Sequence, residues 1–216
     1  MKFRVKIPST PVSRTRAKGD ADNSPYLGLI YNVFQLPRDA QRGIAIAVTA
    51  PNRGAGTTYI VNSLTAELGS YPANRIVQID LVTLANTLRS DEDVLQMTQP
   101  TSHPGIFQIR PTVDAVGEYS SVCWHGSAEH RRECIDRLCR EFQYVLFDCP
   151  AVLVSSDVLS IASLVDGLLM VVEAERTTRE EVSRAERQVE AAGGRLCGSI
   201  LNKRKNPVPG WAQRRS

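Results

Sequence analysis

GIAIAVTAPNRGAGTTYIVNSLTAELGS, Gly43 to Ser70, is the stretch on which the fold turns. Its first part, GIAIAVTA, is a short continuous apolar run bounded by turn residues, the pattern of a strand buried on both faces of a parallel sheet. The glycine-rich PNRGAG follows at once. From Thr57, apolar residues at Ile60, Val61, Leu64 and Leu68 recur at helical spacing. Strand, glycine turn and helix in that order frame a phosphate-binding loop, because the backbone N–H groups at a helix start collect an anion.

The consensus G-x-x-x-x-G-K-[ST] is not met. Pro51 occupies the first glycine position, and Gly56 is followed by Thr57 where lysine belongs. Gly54, Ala55, Gly56, Thr57 and Thr58 are nevertheless the candidate nucleotide-contacting stretch. The glycines allow close backbone approach to phosphate, and Thr58 stands where a hydroxyl would ligate Mg²⁺. Taken alone, such a turn also has a bland reading, since strand-to-helix turns use glycine for steric reasons. Arg53 is the one cation inside the loop that could substitute for the lysine.

Two acids add to the loop. RIVQID ends an apolar run in Asp80, and YVLFD ends one in Asp148. The carboxyl ends of parallel strands face the ligand crevice, so both carboxylates could converge on a metal-bound phosphate beside Thr58. The alternative for each is a helix cap or turn residue.

The remaining segments extend the alternation. SPYLGLIYNVFQL, Ser24 to Leu36, reads as a short docking helix, and AEHRRECIDRLCREF, Ala128 to Phe142, as an amphipathic one. DVLSIASLV is expected to be helical, GLLMVVE a strand, TREEVSRAERQVEAA a charged helix and GRLCGSILN a final strand. Between Leu81 and Gly126 only a helix near Leu84 to Leu88 and a strand at GIFQIR can be picked out. The expected architecture is a single α/β domain, mostly parallel in its sheet, with helices on both faces. Its limits are set at 24–205, between a basic flexible segment, 1–23, and a basic tail, 206–216.

Length and composition agree. A chain of 216 residues fits one core, and 42% apolar with 23% charged residues is ordinary for a folded soluble protein. No apolar run approaches the roughly 20 residues that span a bilayer, and MKFRVKIPSTPVSR has no secretory apolar stretch, so a cytoplasmic location is expected. Cys123, Cys134, Cys139, Cys149 and Cys197 lack metal or redox spacing and read as reduced structural thiols. His103, His125 and His130 also lack metal spacing. The net charge of +3 conceals an asymmetry: eleven of the 26 Lys and Arg lie in the two ends, leaving 15 against 23 acids, near −8, between them. Basic ends, with Trp211 beside one of them, suit an anionic lipid surface, nucleic acid or an acidic partner, or serve as solubilising tails.

From about Ser24 to Asn202 the order and content of the segments resemble the bacterial tyrosine kinase family and its capsular-polysaccharide relatives. YVLFDCPAVLVSSD, Tyr144 to Asp157, resembles that family's strand-acid-proline segment leading to a serine-aspartate turn. VDGLLMVVEAERTTREEV, Val165 to Val182, and GSILN, Gly198 to Asn202, resemble its next two blocks. The resemblance implies a P-loop NTPase-like domain with ATP and Mg²⁺ as cofactors. Asp80 would match the acid of the second metal motif, Asp148 the acid of the strand motif and Asn202 the adenine-recognising asparagine. It also implies a membrane polysaccharide co-polymerase or activator as partner, and a location peripheral to the inner membrane.

The departures matter as much. The loop lysine is Thr57, the second acid of IDLV is Val82, and the glutamate and two arginines of the family's assembly helix fall at Gly28, Tyr31 and Phe34. The last tyrosine is Tyr144, so the phosphorylated tyrosine-rich tail has no counterpart. Phosphoryl transfer depends on electrostatic placement, and loss of one such donor commonly costs about 10²-fold in rate. The expectation is a pseudokinase-like regulator or scaffold of exopolysaccharide synthesis and export, with ATP and Mg²⁺ held weakly or not at all. The alternatives are an active tyrosine kinase or ATPase completed by a membrane activator, and a partition-type P-loop ATPase. The last is disfavoured, and nucleic acid with it, because Asn52 stands near that family's signature lysine.

Overall fold

The computed structural model describes residues 3–8, 26–34, 42–87, 93–109 and 127–204. Its strands are β1 (Phe3–Pro8), β2 (Ile44–Thr49), β3 (Ile76–Asp80), β4 (Thr98–Pro100), β5 (Ile106–Ile109), β6 (Tyr144–Asp148), β7 (Gly167–Glu173) and β8 (Leu196–Arg204). The helices are α1 (Leu27–Phe34), α2 (Thr57–Gly69), α3 (Leu81–Thr87), α4 (Ala128–Glu141) and α5 (Arg179–Ala191). Among the described residues the strands form one sheet in the order β1-β8-β7-β2-β6-β3-β5-β4. Every pairing is parallel except β4 with β5.

Alternation along the strands sorts the core into two layers. Ala45, Ala47, Val145, Phe147, Leu168 and Met170 face a cluster that includes Leu84 of α3, Leu138 of α4 and Val189 of α5. Ile44, Ile46, Val48, Leu146, Leu169 and Val171 face the opposite cluster, built with Leu29 and Val33 of α1 and Ile60, Leu64 and Leu68 of α2. Fully buried strands therefore read as continuous apolar runs, as β2 does. The expected mostly parallel sheet with helices on both faces is the one observed.

Helix boundaries follow local chemistry. α4 is capped by Ser127, whose side chain accepts from the His130 N–H at 3.1 Å. α5 opens with a capping box in which Thr178 and Glu181 satisfy each other's backbone N–H groups. At the amino end of the strands, Arg42 spans Asp166 of the β7 approach at 2.9 Å and Asp136 of α4 at 3.2 Å. Asp166 also accepts from the Ala45 N–H at 2.7 Å, fixing the entry of β2.

Two expectations are corrected. Phe3–Pro8 is a strand paired with β8, not part of a flexible segment; Phe3, Val5 and Ile7 alternate with Arg4 and Lys6 at the period of a strand. DVLSIASLV is not a helix of any length. Only Asp157–Ser160 forms a single 3-10 turn, where the Ser155 hydroxyl bonds the Asp157 carboxylate and Ser160 bonds the Asp157 carbonyl. Such side-chain bonds compete with helix propagation. The segment between α3 and β5 contains a 3-10 turn at Val94–Met97 and the short strand β4. The tail from 205 onward, with Trp211, lies outside the described residues, as do Cys123 and His125.

Candidate functional site

The turn between β2 and α2 is held from below by the segment after β6. The N–H of Val152 donates to Ala50 O at 2.9 Å and that of Leu153 to Pro51 O at 3.2 Å, while the Thr49 hydroxyl donates to Pro150 O at 2.7 Å. Pro51 is buried and its carbonyl is used, so a proline at the first loop position is accommodated. Above it the chain turns through two left-handed glycines, Gly54 at φ 85° and Gly56 at φ 94°, with Gly56 as the N-cap of α2. A side chain at either would be strained. The first-turn N–H groups of α2 have no intrahelical acceptor and open onto the carboxyl end of the sheet, as an anion cradle requires.

β2, β6 and β3 are adjacent, and their register sets Val48, Asp148 and Asp80 in one row. Directly opposed residues share a face, so the two carboxylates lie on the side of the sheet that carries α2. Asp148 is buried, and burial pushes its carboxyl up to about 6; the Thr58 hydroxyl, bonded to it, draws it down, and the Asp80 charge raises it further. Asp80 is exposed and accepts from the Thr83 N–H at 2.7 Å, so it also caps α3. Cys149, fully buried next in the chain, has its thiol pushed well above the usual value by burial and then by Asp148 and Asp80. It is a packing residue.

Thr58, Asp148 and Asp80 thus bring a hydroxyl and two carboxylates together, with burial making the charge on one of them unfavourable. That donor set fits a hard divalent cation such as Mg²⁺, which takes oxygen ligands from one or two carboxylates and completes its shell with water and phosphate oxygens. A bound cation would supply charge neutralisation for a polyphosphate. Thr57, half-buried at the first position of α2, supplies none.

The far wall of the loop is the end of β8. The buried Asn202 amide donates to Ala55 O at 2.8 Å and accepts from the Lys203 N–H at 2.9 Å. These two bonds leave one amide hydrogen and one lone pair for a ligand. Lys203 Nζ donates to Gly54 O and lies 3.3 Å from Glu173, which is also paired with Arg176 at 3.4 Å. Asn52 bonds Glu181 of α5, which, with the Thr178 backbone first among the causes, holds that carboxyl below its ordinary value. Gly54, Ala55, Gly56, Thr57, Thr58, Asp80, Asp148 and Asn202 therefore all lie at the carboxyl end of the sheet, Asn202 bonded to the turn on one side and Thr58, Asp148 and Asp80 grouped on the other. Arg53 is exposed on its rim. For Lys203 and Glu173 the sequence carries no signal but position: Glu173 closes β7, and Lys203 is the last residue but one of β8.

No family profile matches the chain. Over 62 residues it is 39% identical to tyrosine-protein kinase CpsD of Streptococcus agalactiae, a match covering 29% of this chain and 27% of that one. It is 25% identical over 79 residues to tyrosine-protein kinase YwqD of Bacillus subtilis, covering 37% of this chain and 33% of the relative. Its relatives are bacterial tyrosine-protein kinases. The chain thus matches about a third or less of these kinases' lengths. The kinase domain of Escherichia coli tyrosine kinase ETK superposes with a TM-score of 0.64 at 18% identity, over 95% of this chain and 92% of that domain. Cobyrinic acid a,c-diamide synthase from Mycobacterium smegmatis, solved with an ATP analogue and magnesium, superposes with a TM-score of 0.57 at 17% identity, over 73% of this chain and 72% of that one. These likenesses establish the fold, that of P-loop NTPases.

Proposed function

We propose that the chain is a regulatory or scaffolding relative of the bacterial tyrosine kinase domain, acting in exopolysaccharide or capsule synthesis and export. In this reading it holds ATP and Mg²⁺ weakly and transfers no phosphoryl group. One observation carries it: the loop keeps its backbone cradle, its hydroxyl and its two carboxylates, yet the residue at the first turn of α2 is a half-buried threonine. Gly54, Ala55, Gly56, Thr57 and Thr58 would contact phosphate through backbone and hydroxyl groups. Thr58, Asp148 and Asp80 would hold Mg²⁺, and Asn202 would meet the adenine with its remaining donor and acceptor.

Without the lysine, the charge that builds on the transferred phosphoryl oxygens has no fixed counter-charge from the loop. On α1, Gly28 and the 64%-exposed Tyr31 stand where the family's charged assembly residues are expected, which supports a partner other than a ring of its own copies. The partner in this reading is a membrane co-polymerase or activator at the cytoplasmic face of the inner membrane. Among the described residues no helix is long and apolar enough to cross a membrane.

Calorimetric titration with ATP, ADP and Mg²⁺, on wild type and Thr57→Lys, tests the reading. Weak Mg²⁺-dependent binding by wild type, strengthened about tenfold or more by Thr57→Lys, is the expected outcome. Robust ATP-dependent tyrosine phosphorylation by the wild-type chain, alone or with a membrane activator, would overturn it.

A further inference from the structure

Lys203 is a non-glycine residue in the left-handed region, at φ 57°. Between Lys6 and Pro8 of β1 and their partners Leu201 and Arg204 of β8, one residue on β1 faces two on β8, so Asn202 and Lys203 form a bulge. Bulges re-aim side chains beside functional sites, and left-handed backbone at a lysine persists only where the surroundings enforce it. Here the re-aimed chain reaches 149 positions back along the sequence to the carbonyl of Gly54, while the preceding side chain takes the carbonyl of Ala55.

Two consecutive carbonyls of the phosphate loop are thereby tied to one strand end. A peptide whose C=O is held on one side points the following N–H to the other, so both bonds turn amides of the loop toward the crevice. The Lys203 charge itself is engaged by Glu173, which is only 14% exposed, and by the Gly54 carbonyl. It is therefore poorly placed to act as a free counter-ion for phosphate. A Cβ on Gly56 would meet Asn202 Nδ2 at 2.4 Å, so the left-handed glycine is also what lets the strand end come this close.

We infer that Lys203 is a positioning residue for phosphate binding: with Asn202 and Glu173 it latches the loop in its anion-receiving conformation, a preorganisation that stands in part for the missing lysine. The assignment rests on the reading of this loop as a polyphosphate site. Because the latch acts on the loop and not on a base, its loss affects ATP, GTP and bare tripolyphosphate by the same factor.

The test compares wild type with Lys203→Met, Lys203→Arg and Lys203→Gly. Amide hydrogen exchange, which needs no ligand, is expected to speed at residues 54–58 in Lys203→Met with β2 unchanged. Calorimetry with Mg²⁺ is expected to show tripolyphosphate and ATP weakened alike, roughly threefold to tenfold, with Lys203→Arg largely restored. Lys203→Gly, which relieves the backbone, should melt no lower than wild type yet bind more weakly, a split that a purely structural residue would not give. Unchanged exchange and unchanged affinity would overturn the latch while leaving the nucleotide reading intact. A loss confined to ATP and GTP would make Lys203 a base contact and overturn it as well. Faster exchange in a protein whose wild type binds no polyphosphate would overturn both the site reading and the role of the latch in binding.

Discussion

Replacing Asp148 with asparagine is expected to make the protein more stable at neutral pH. The carboxyl lies buried at the end of β6 with Asp80 beside it in register, and its value rises from an ordinary 3.8 to about 6. Between those values the folded chain keeps a proton that the unfolded chain has released, so stability is fully present below about 4 and is lost as pH rises through about 6. A rise from 3.8 to about 6 corresponds to about 3 kcal/mol of penalty at pH 7.5. Asparagine removes the charge and still offers an oxygen to the Thr58 hydroxyl. For a chain of this size about 3 kcal/mol is a rise of roughly 6–12 °C in Tm. The assay is thermal unfolding of both proteins from pH 3.5 to 8, with and without Mg²⁺. The expected curves diverge only above pH 4, and Mg²⁺ at pH 7.5 narrows the gap by favouring the ionised wild-type carboxylate. Asp148→Asn melting at or below wild type at pH 7.5, or a gap of constant size down to pH 3.5, would refute the reasoning.

The glycines of the loop should separate by their surroundings. Gly56→Ala combines φ 94° with a Cβ placed 2.4 Å from Asn202, and a loss of about 2 kcal/mol or more is expected in urea unfolding. Gly54→Ala has similar backbone strain, but its nearest neighbour is Arg176 at 3.7 Å, so about 1 kcal/mol is expected. Cys134, Cys139, Cys149 and Cys197 are buried, and the first three thiols are pushed up by burial, so no more than one thiol, Cys123, should react promptly with a disulfide reagent at pH 7.5. Full reaction should require denaturant.

The parts that could be read in advance are those whose physics is local. The apolar run of β2, the glycines after it and the 3.6-residue spacing of α2 each carry their own signal, and the acids closing β3 and β6 stand out against the apolar residues before them. β1 was obscured because Arg4 and Lys6 made an alternating strand look like part of a basic linker. The Asp157 turn reads as helix in the sequence because its apolar spacing is helical, while the serine and aspartate bonds that stop it depend on side-chain rotamers. Lys203 was invisible for a different reason. Its contact with Gly54 exists only once the sheet order, a bulge and a left-handed backbone are all in place.

The pairing of β1 with β8 also governs the order in which the molecule can assemble. Phe3 lies beside Gly198, so the first of the described strands has no partner until the last of them has been made. Before β8 is made, β2, β6 and β7 can already find one another while β1 waits. Closing so long a loop adds little entropy per extra residue but brings the most non-local strand pairing among the described residues last. The bulge at Asn202 and Lys203 forms in that same step, so the β2–α2 turn receives its outer support only when β1 and β8 have met.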